Sequence, residues 1–202
     1  MGAKNIEVEI RGPLTRNEFE TLNVFLSKNA VFKKRKERVL IDYSLGMEDR
    51  TKDIRIRETN GIPEIIIKLG SWGNSESREE ISLSTEKNKF DTLVKIFGEL
   101  GFTNGVLCVR NSLVYDFKGI EFALVEIPNH SYHFEAEIIA EPENASDAHT
   151  KIKKVCEELD LKLFSREEFF TYVKILNKEA NKVFDYKNYT EGYFQEKRYL
   201  SK

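Results

Sequence analysis

Glu7-Val8-Glu9-Ile10-Arg11 reads as a strand with two chemistries. Successive side chains of a β-strand point to opposite faces, so Glu7, Glu9 and Arg11 share one face, and Ile6, Val8 and Ile10 the other. The alternation returns in Arg55-Ile56-Arg57, Glu64-Ile65-Ile66-Ile67-Lys68, Arg78-Glu79-Glu80 and Glu135-Ala136-Glu137. Its apolar partners are Ile54 and Ile56, then Ile65, Ile67 and Leu69, then Phe134, Ala136 and Ile138. One charged strand face is what any solvated sheet presents. Five faces that mix acids and bases predict an enclosed polar lumen, suited to a polyanion and the metal ions that accompany it.

The 202 residues suit one domain, or one domain with an appendage. A formal net charge of -2 supplies no broad basic field, which argues against a nucleic-acid partner. Cys108 and Cys156 lie far apart without metal-ligand spacing and read as reduced core residues. No apolar run approaches the roughly 20 residues of a membrane span, and the N-terminus lacks a signal-peptide core. These features predict a cytoplasmic protein with no membrane partner.

Outward from the first strand, near residues 5–11, Thr15 with Glu18 forms a capping box for a helix with Phe19, Leu22, Phe25 and Leu26 on one stripe. Strands are predicted near 37–43, 52–59, 62–70 and 76–84, with Asn60-Gly61 as a tight hairpin turn. A helix over 84–100 carries Phe90, Leu93, Val94 and Phe97, and Gly101 caps it. Strands follow near 104–110, 112–118, 120–127 and 132–140, then helices from Ser146 and Arg166. The fold class is α+β: a closed eight-stranded antiparallel β-barrel, or tunnel, with amphipathic helices packed outside. The tunnel domain spans 1–176, and 177–202 forms its C-terminal aromatic tail. Packing of that tail onto the barrel and a homodimer contact through it are both open.

A triphosphate carries about four negative charges and travels with a divalent cation. Arg and Lys clamp phosphate oxygens, Arg through a bidentate fork, while paired carboxylates hold hard cations such as Mg²⁺ or Mn²⁺. Phosphoryl transfer needs mainly positioning and charge stabilisation, which a lumen lined in this way supplies.

Glu7-x-Glu9-x-Arg11 resembles the ExExK signature of the CYTH superfamily, the triphosphate tunnel metalloenzymes. Further motifs follow in that family's order: Asp42, Arg55-x-Arg57, Lys68, Arg78-x-Glu80 and Glu135-x-Glu137, with Ser165 to Leu176 resembling its closing segment. The resemblance implies that Arg11, Arg55, Arg57, Lys68, Arg78 and Arg110 bind phosphates, and that Glu7, Glu9, Glu135 and Glu137 hold Mg²⁺ or Mn²⁺. It places Lys68 and Glu80 at the reacting centre, Glu80 as a ligand or as a partner that orients an arginine. The chain departs from the family pattern at four points. Arg11 replaces a lysine, and Arg110-Asn111-Ser112 lacks the second base of K-x-R. Val125 stands where an acid is usual, with Glu126 beside it, and Leu40 replaces a tyrosine that Tyr43, on the opposite strand face, does not replace.

The resemblance implies a metal-dependent hydrolase of a triphosphate-containing small molecule: inorganic triphosphate, a nucleoside triphosphate or thiamine triphosphate. The alternatives are a class IV adenylyl cyclase, which makes cyclic AMP and pyrophosphate, and a non-catalytic polyphosphate- or nucleotide-binding module. Other features read more plainly. The basic run Lys33 to Arg38 is a solvated loop or strand entry, and His130, His133 and His149 lack ligand spacing, with His133 close to the last acidic pair. Trp72 caps the core, and the glycines at 70 and 73 lack phosphate-loop spacing.

Overall fold

The computed structural model describes residues 6–44, 51–70 and 75–200, with backbone only at 75–77. Its strands are β1 (Ile6–Leu14), β2 (Val31–Asp42), β3 (Lys52–Thr59), β4 (Ile62–Leu69), β5 (Ser75–Ser84), β6 (Asn104–Phe117), β7 (Ile120–Ile127), β8 (Ser131–Ala140) and β9 (Lys182–Asp185). Four helices intervene: α1 (Arg16–Asn29), α2 (Phe90–Glu99), α3 (Ala145–Glu158) and α4 (Arg166–Glu179). Hydrogen bonds run in the order β2-β3-β4-β5-β1-β8-β7-β6, and a further β2–β6 pairing returns to the start. The eight strands therefore form a closed antiparallel ring, and β9 extends it beside Asn104–Leu107 of β6.

Local chemistry explains the tight corners. Asn60 and Gly61 have φ of 52° and 79°, and Lys118 and Gly119 have 55° and 71°, the left-handed pair that a two-residue hairpin demands. Thr15 and Ser165 both accept from the backbone N–H three residues on, and Glu18 and Glu168 return the bond, so α1 and α4 each begin in a complete capping box.

The outer, apolar strand faces are covered in two halves. Leu22 and Leu26 of α1 and Ile152 and Val155 of α3 pack on Val8, Ile10, Phe122 and Phe134. Phe90, Val94 and Phe97 of α2 pack on Val39, Ile41 and Ile56, joined by Phe184, Phe194 and Tyr199 from the tail. Of the two readings of the tail, packing on the barrel describes these three residues. Both cysteines are free and buried. No described helix is long and apolar enough to cross a membrane.

The structure corrects several sequence-based boundaries. β2 begins at Val31, so the basic run lies inside a strand whose pairing with β6 extends from Val31↔Asp116 to Asp42↔Val106. That continuous partner also makes β6 a single strand of 14 residues rather than two. The second helix starts at Phe90, because β5 continues to Ser84 and a turn follows. Trp72 and the segment 71–74 lie outside the described residues.

Gly98 reports on how the tail is seated. A Cβ there would lie 2.4 Å from ring atoms of Tyr186, which follows β9. Glycine to alanine inside a helix ordinarily stabilises by about 1 kcal/mol. Here Gly98→Ala is expected to lower the melting temperature, and adding Tyr186→Ala is expected to remove that penalty. A melting temperature raised by Gly98→Ala alone would show that Tyr186 does not press on α2.

Candidate functional site: a polarised lumen

The inward strand faces enclose a cavity lined by charge. Its wall includes Glu7, Glu9 and Arg11 from β1, Lys36, Arg38 and Leu40 from β2, and Arg55 and Arg57 from β3. Lys68, Glu80 and Arg110 come from β4, β5 and β6, Glu121 and Ala123 from β7, and Glu135 and Glu137 from β8. Strands four places apart in an eight-membered ring face each other, so β2 faces β1 and β3 faces β8. The lumen thus has a basic wall on β3, β2 and β6 and an acidic wall on β1, β8 and β7.

Most of these charges are paired. Lys68 binds Glu7 and lies 3.2 Å from Glu80, so Glu80 holds the lysine and not an arginine. Arg11 binds Glu9 and has Nε 3.5 Å from Glu135. Arg57 donates to Glu64 at 2.7 Å, and Lys36 to Glu121 at 2.9 Å. Arg55 binds Asp53, and Asp53 and Asp42 outweigh the cost of burial to hold its guanidinium above the ordinary value.

Three lumen residues have no ion pair among the described residues: Arg38, Arg110 and Glu137. Arg38 Nε meets only Thr59 Oγ1, at 3.3 Å. Burial and the neighbouring Arg57, Arg110 and Arg55 push it down to about 10. Arg110 Nε is buried without a hydrogen-bond acceptor. On the acidic wall, burial together with Glu7, Glu9 and Glu121 pushes the Glu137 carboxyl up to about 9. Glu9, 3 % exposed, is pushed up to about 7 by burial with Glu135 and Glu7, against the pull of Arg11. Burial also opposes the charge on Glu7 and Glu135. Lys68 outweighs it at Glu7, and His133 with Arg11 outweighs it at Glu135, so both carboxyls lie below their ordinary value.

One end of the lumen is stoppered by α4. Leu176 packs on Val114, Ala123, Val125 and Ile127, and the Phe169 ring lies 5.2 Å from the Arg11 guanidinium. Tyr172 of α4 has its Oη 3.2 Å from His133 Nδ1, while His133 Nε2 is 3.5 Å from Glu135. The stopper is thereby tied to a lumen carboxylate through one buried imidazole.

Most of the residues expected at the site come together in this lumen: Arg11, Arg55, Arg57, Lys68, Arg110, Glu7, Glu9, Glu80, Glu135 and Glu137 all line it. Arg78 does not. It is 1 % exposed and shares a strand face with Glu80, but its Nη1 lies 3.3 Å from Asp53, the carboxylate that also binds Arg55, and it is not part of the cavity's lining. Register explains the other departures. Val125 is buried opposite His133 and Ser112, so no slip brings Glu126 inward; the acid of β7 is Glu121, in phase four residues earlier. Tyr43 packs outside, 5.4 Å from Phe97, while Leu40 faces the lumen. Lys36 and Arg38 were missed as site residues, although their even spacing from Asp42 was visible.

The Glu137 shift has a stability consequence. Its unfolded carboxyl titrates near 4.5 and its folded one near 9, so the folded state binds the extra proton and stability falls as pH rises between the two. In EDTA, Glu137→Gln is expected to melt higher than the parent at pH 8 and to converge with it toward pH 5. Equal melting temperatures at pH 8 would show that Glu137 is not held in a repulsive cluster.

The comparisons agree with this architecture. No protein-family model and no curated protein matches the sequence. Among solved structures, the PH1819 protein of Pyrococcus horikoshii is 23 % identical, with a TM-score of 0.63 over 83 % of this chain and 98 % of its own. An adenylate cyclase candidate from Vibrio parahaemolyticus is 14 % identical, with a TM-score of 0.58 over 85 % of this chain and 97 % of its own. The adenylyl cyclase candidate HpAC1 of Hippeastrum, described as having a dominant triphosphatase activity, is 16 % identical, with a TM-score of 0.51 over 87 % of this chain and 99 % of its own. Identities this low speak for the fold alone: an eight-stranded antiparallel ring, here enclosing a charged lumen.

Proposed function

We propose that this chain is a divalent-metal-dependent hydrolase of a triphosphate-containing small molecule, whether inorganic triphosphate, a nucleoside triphosphate or thiamine triphosphate. The observation that carries the reading is the polarised lumen. Arg38 and Arg110 lack anionic partners on one wall, while Glu137 and Glu9 repel their neighbours on the other. A ligand that is itself part anion and part cation satisfies both walls at once, and a metal triphosphate is such a ligand.

The residues fit the cation by donor chemistry. Hard divalent ions take carboxylate oxygens, and Glu7, Glu9, Glu135 and Glu137 would hold Mg²⁺ or Mn²⁺, with Glu121 added from the structure. Among the described residues no three His, Cys, Asp or Glu side chains are already grouped to hold a metal. Glu7 and Glu9 are each engaged by a base, so loading would involve exchange of those partners. When bound, the ion polarises a phosphoryl oxygen and lowers the pKa of bound water.

The chain's own groups do the rest. Arg38, Arg57 and Arg110, with Arg11 and Arg55, would clamp the phosphate oxygens and fix the scissile anhydride in place. Lys68, held between Glu7 and Glu80, would meet charge developing on the transferred group. The α4 stopper closes one end to solvent, which strengthens these interactions by lowering the local dielectric.

The discriminating experiment incubates the protein separately with inorganic triphosphate, thiamine triphosphate and ATP, with Mg²⁺ or Mn²⁺, and resolves the products. Orthophosphate is expected. Cyclic AMP with pyrophosphate would instead establish the cyclase, the reading that the adenylate cyclase candidates sharing this fold keep open. Binding with no product would leave a non-catalytic module. Arg57→Ala is expected to raise KM and lower kcat together, with a loss of about a hundredfold in kcat/KM. Glu137→Gln should abolish metal-dependent turnover while the melting transition persists; full activity in that variant would remove Glu137 from the metal set.

A further inference from the structure

A second cavity lies outside the ring, where the tail crosses the β2, β3 and β6 seam. It measures about 260 Å³, near the lower end of small-molecule sites. Phe90, Phe194, Val39 and Val109 supply its apolar lining. Phe194 stacks edge-on against Phe90 at 4.7 Å and lies 5.7 Å from the Tyr199 ring, so the aromatic floor is a packed unit.

The polar groups around this floor are unevenly satisfied. Asp91 accepts from Tyr189 Oη at 2.6 Å and from the backbone of Gln195 at 2.9 Å, and is fully used. Glu58 is half-buried and makes no hydrogen bond or ion pair among the described residues. Burial and Asp91 raise its carboxyl in spite of Lys197 at the rim. Tyr199 is 8 % exposed, lines the same cavity, and its hydroxyl makes no hydrogen bond among the described residues. Burial and then Glu58 and Glu37 push that hydroxyl up to about 12, and both carboxylates line the same cavity; Glu37, largely exposed, also lies 3.5 Å from Arg35. The Tyr199 hydroxyl and the Glu58 carboxylate have no partner among the described residues and line one cavity with the apolar floor, where a donor with an apolar body would serve both.

We infer that this cavity is a binding site for a small organic cation, an alkylammonium whose charged end is taken by Glu58, Glu37 and the Tyr199 hydroxyl while its stem lies on Phe90 and Phe194. The assignment fits the carboxylates, because an ammonium donates to several acceptors at once and needs no second anion. It fits the floor, because such a stem buries apolar surface beside its charge. The site is separate from the tunnel chemistry, although Arg38 borders both cavities.

The test titrates butane-1,4-diamine into the protein in an amine-free buffer, following heat by calorimetry and the Tyr199 ring by NMR with labelled tyrosine. Saturable binding with a shift at Tyr199 is expected. Glu58→Gln should weaken it about tenfold or more, and Tyr199→Phe about threefold, the loss of one hydrogen bond. Glu137→Gln, which alters the tunnel's acidic wall, should leave it unchanged. Absence of saturable binding, or binding that survives Glu58→Gln but disappears in Glu137→Gln, would overturn the assignment. Because Glu58 is partly exposed and without partners among the described residues, its glutamine variant is expected to melt no lower than the parent.

Discussion

The pairing of β2 with β6 is the constraint on which everything else depends. It closes a sheet that would otherwise have two edges, and it turns one face of every strand into an interior. Strand geometry alternates side chains between the two faces, and past the register shift between Phe32 and Lys34 the β2–β6 pairing keeps that phase, so closure forces either the apolar or the charged set inward. The helices decide which. With α1 and α3 on one side and α2 with the tail on the other, the apolar faces find cover outside, and the charges are left to face one another.

That arrangement is costly for an empty molecule. Buried charges are tolerated when paired, and most of the lumen obeys the rule through Lys68–Glu7, Arg11–Glu9 and Arg57–Glu64. The remainder is segregated: arginines accumulate where β3, β2 and β6 meet, and carboxylates where β1, β8 and β7 meet. Segregation raises the electrostatic cost of the free state and lowers that of any complex able to neutralise both walls. A stability optimum would intersperse these charges, so their separation points to binding.

Much of this was legible in the sequence because its signals are periodic. Glu7, Glu9 and Arg11, or Glu135 and Glu137, needed only alternation to be placed on one inward face, and Thr15 with Glu18 needed only capping chemistry to mark α1. What was not legible depends on pairing between strands distant in sequence. Arg78 has the right phase, but Asp53, 25 residues away, claims it. Lys36 and Arg38 share an even spacing with Asp42, but they stand in a run of neighbouring charges, and only the pairing with β6 shows which of that run point inward. Glu121 was overlooked because the acid was sought at Val125, and only the β7–β8 register shows Val125 packed beneath α4. The tail's docking could not be read at all, since an aromatic segment carries no address for the surface it covers.

The central claim is that the two walls act as one receptacle, anion on one side and cation on the other. Equilibrium titration of inorganic triphosphate, with and without Mn²⁺, in the parent, Arg38→Ala and Glu137→Gln proteins tests it most directly. The account predicts that Mn²⁺ tightens triphosphate binding in the parent, that Arg38→Ala weakens binding with or without the ion, and that Glu137→Gln removes the Mn²⁺ enhancement alone. Triphosphate affinity indifferent to Mn²⁺ and to both substitutions would contradict it.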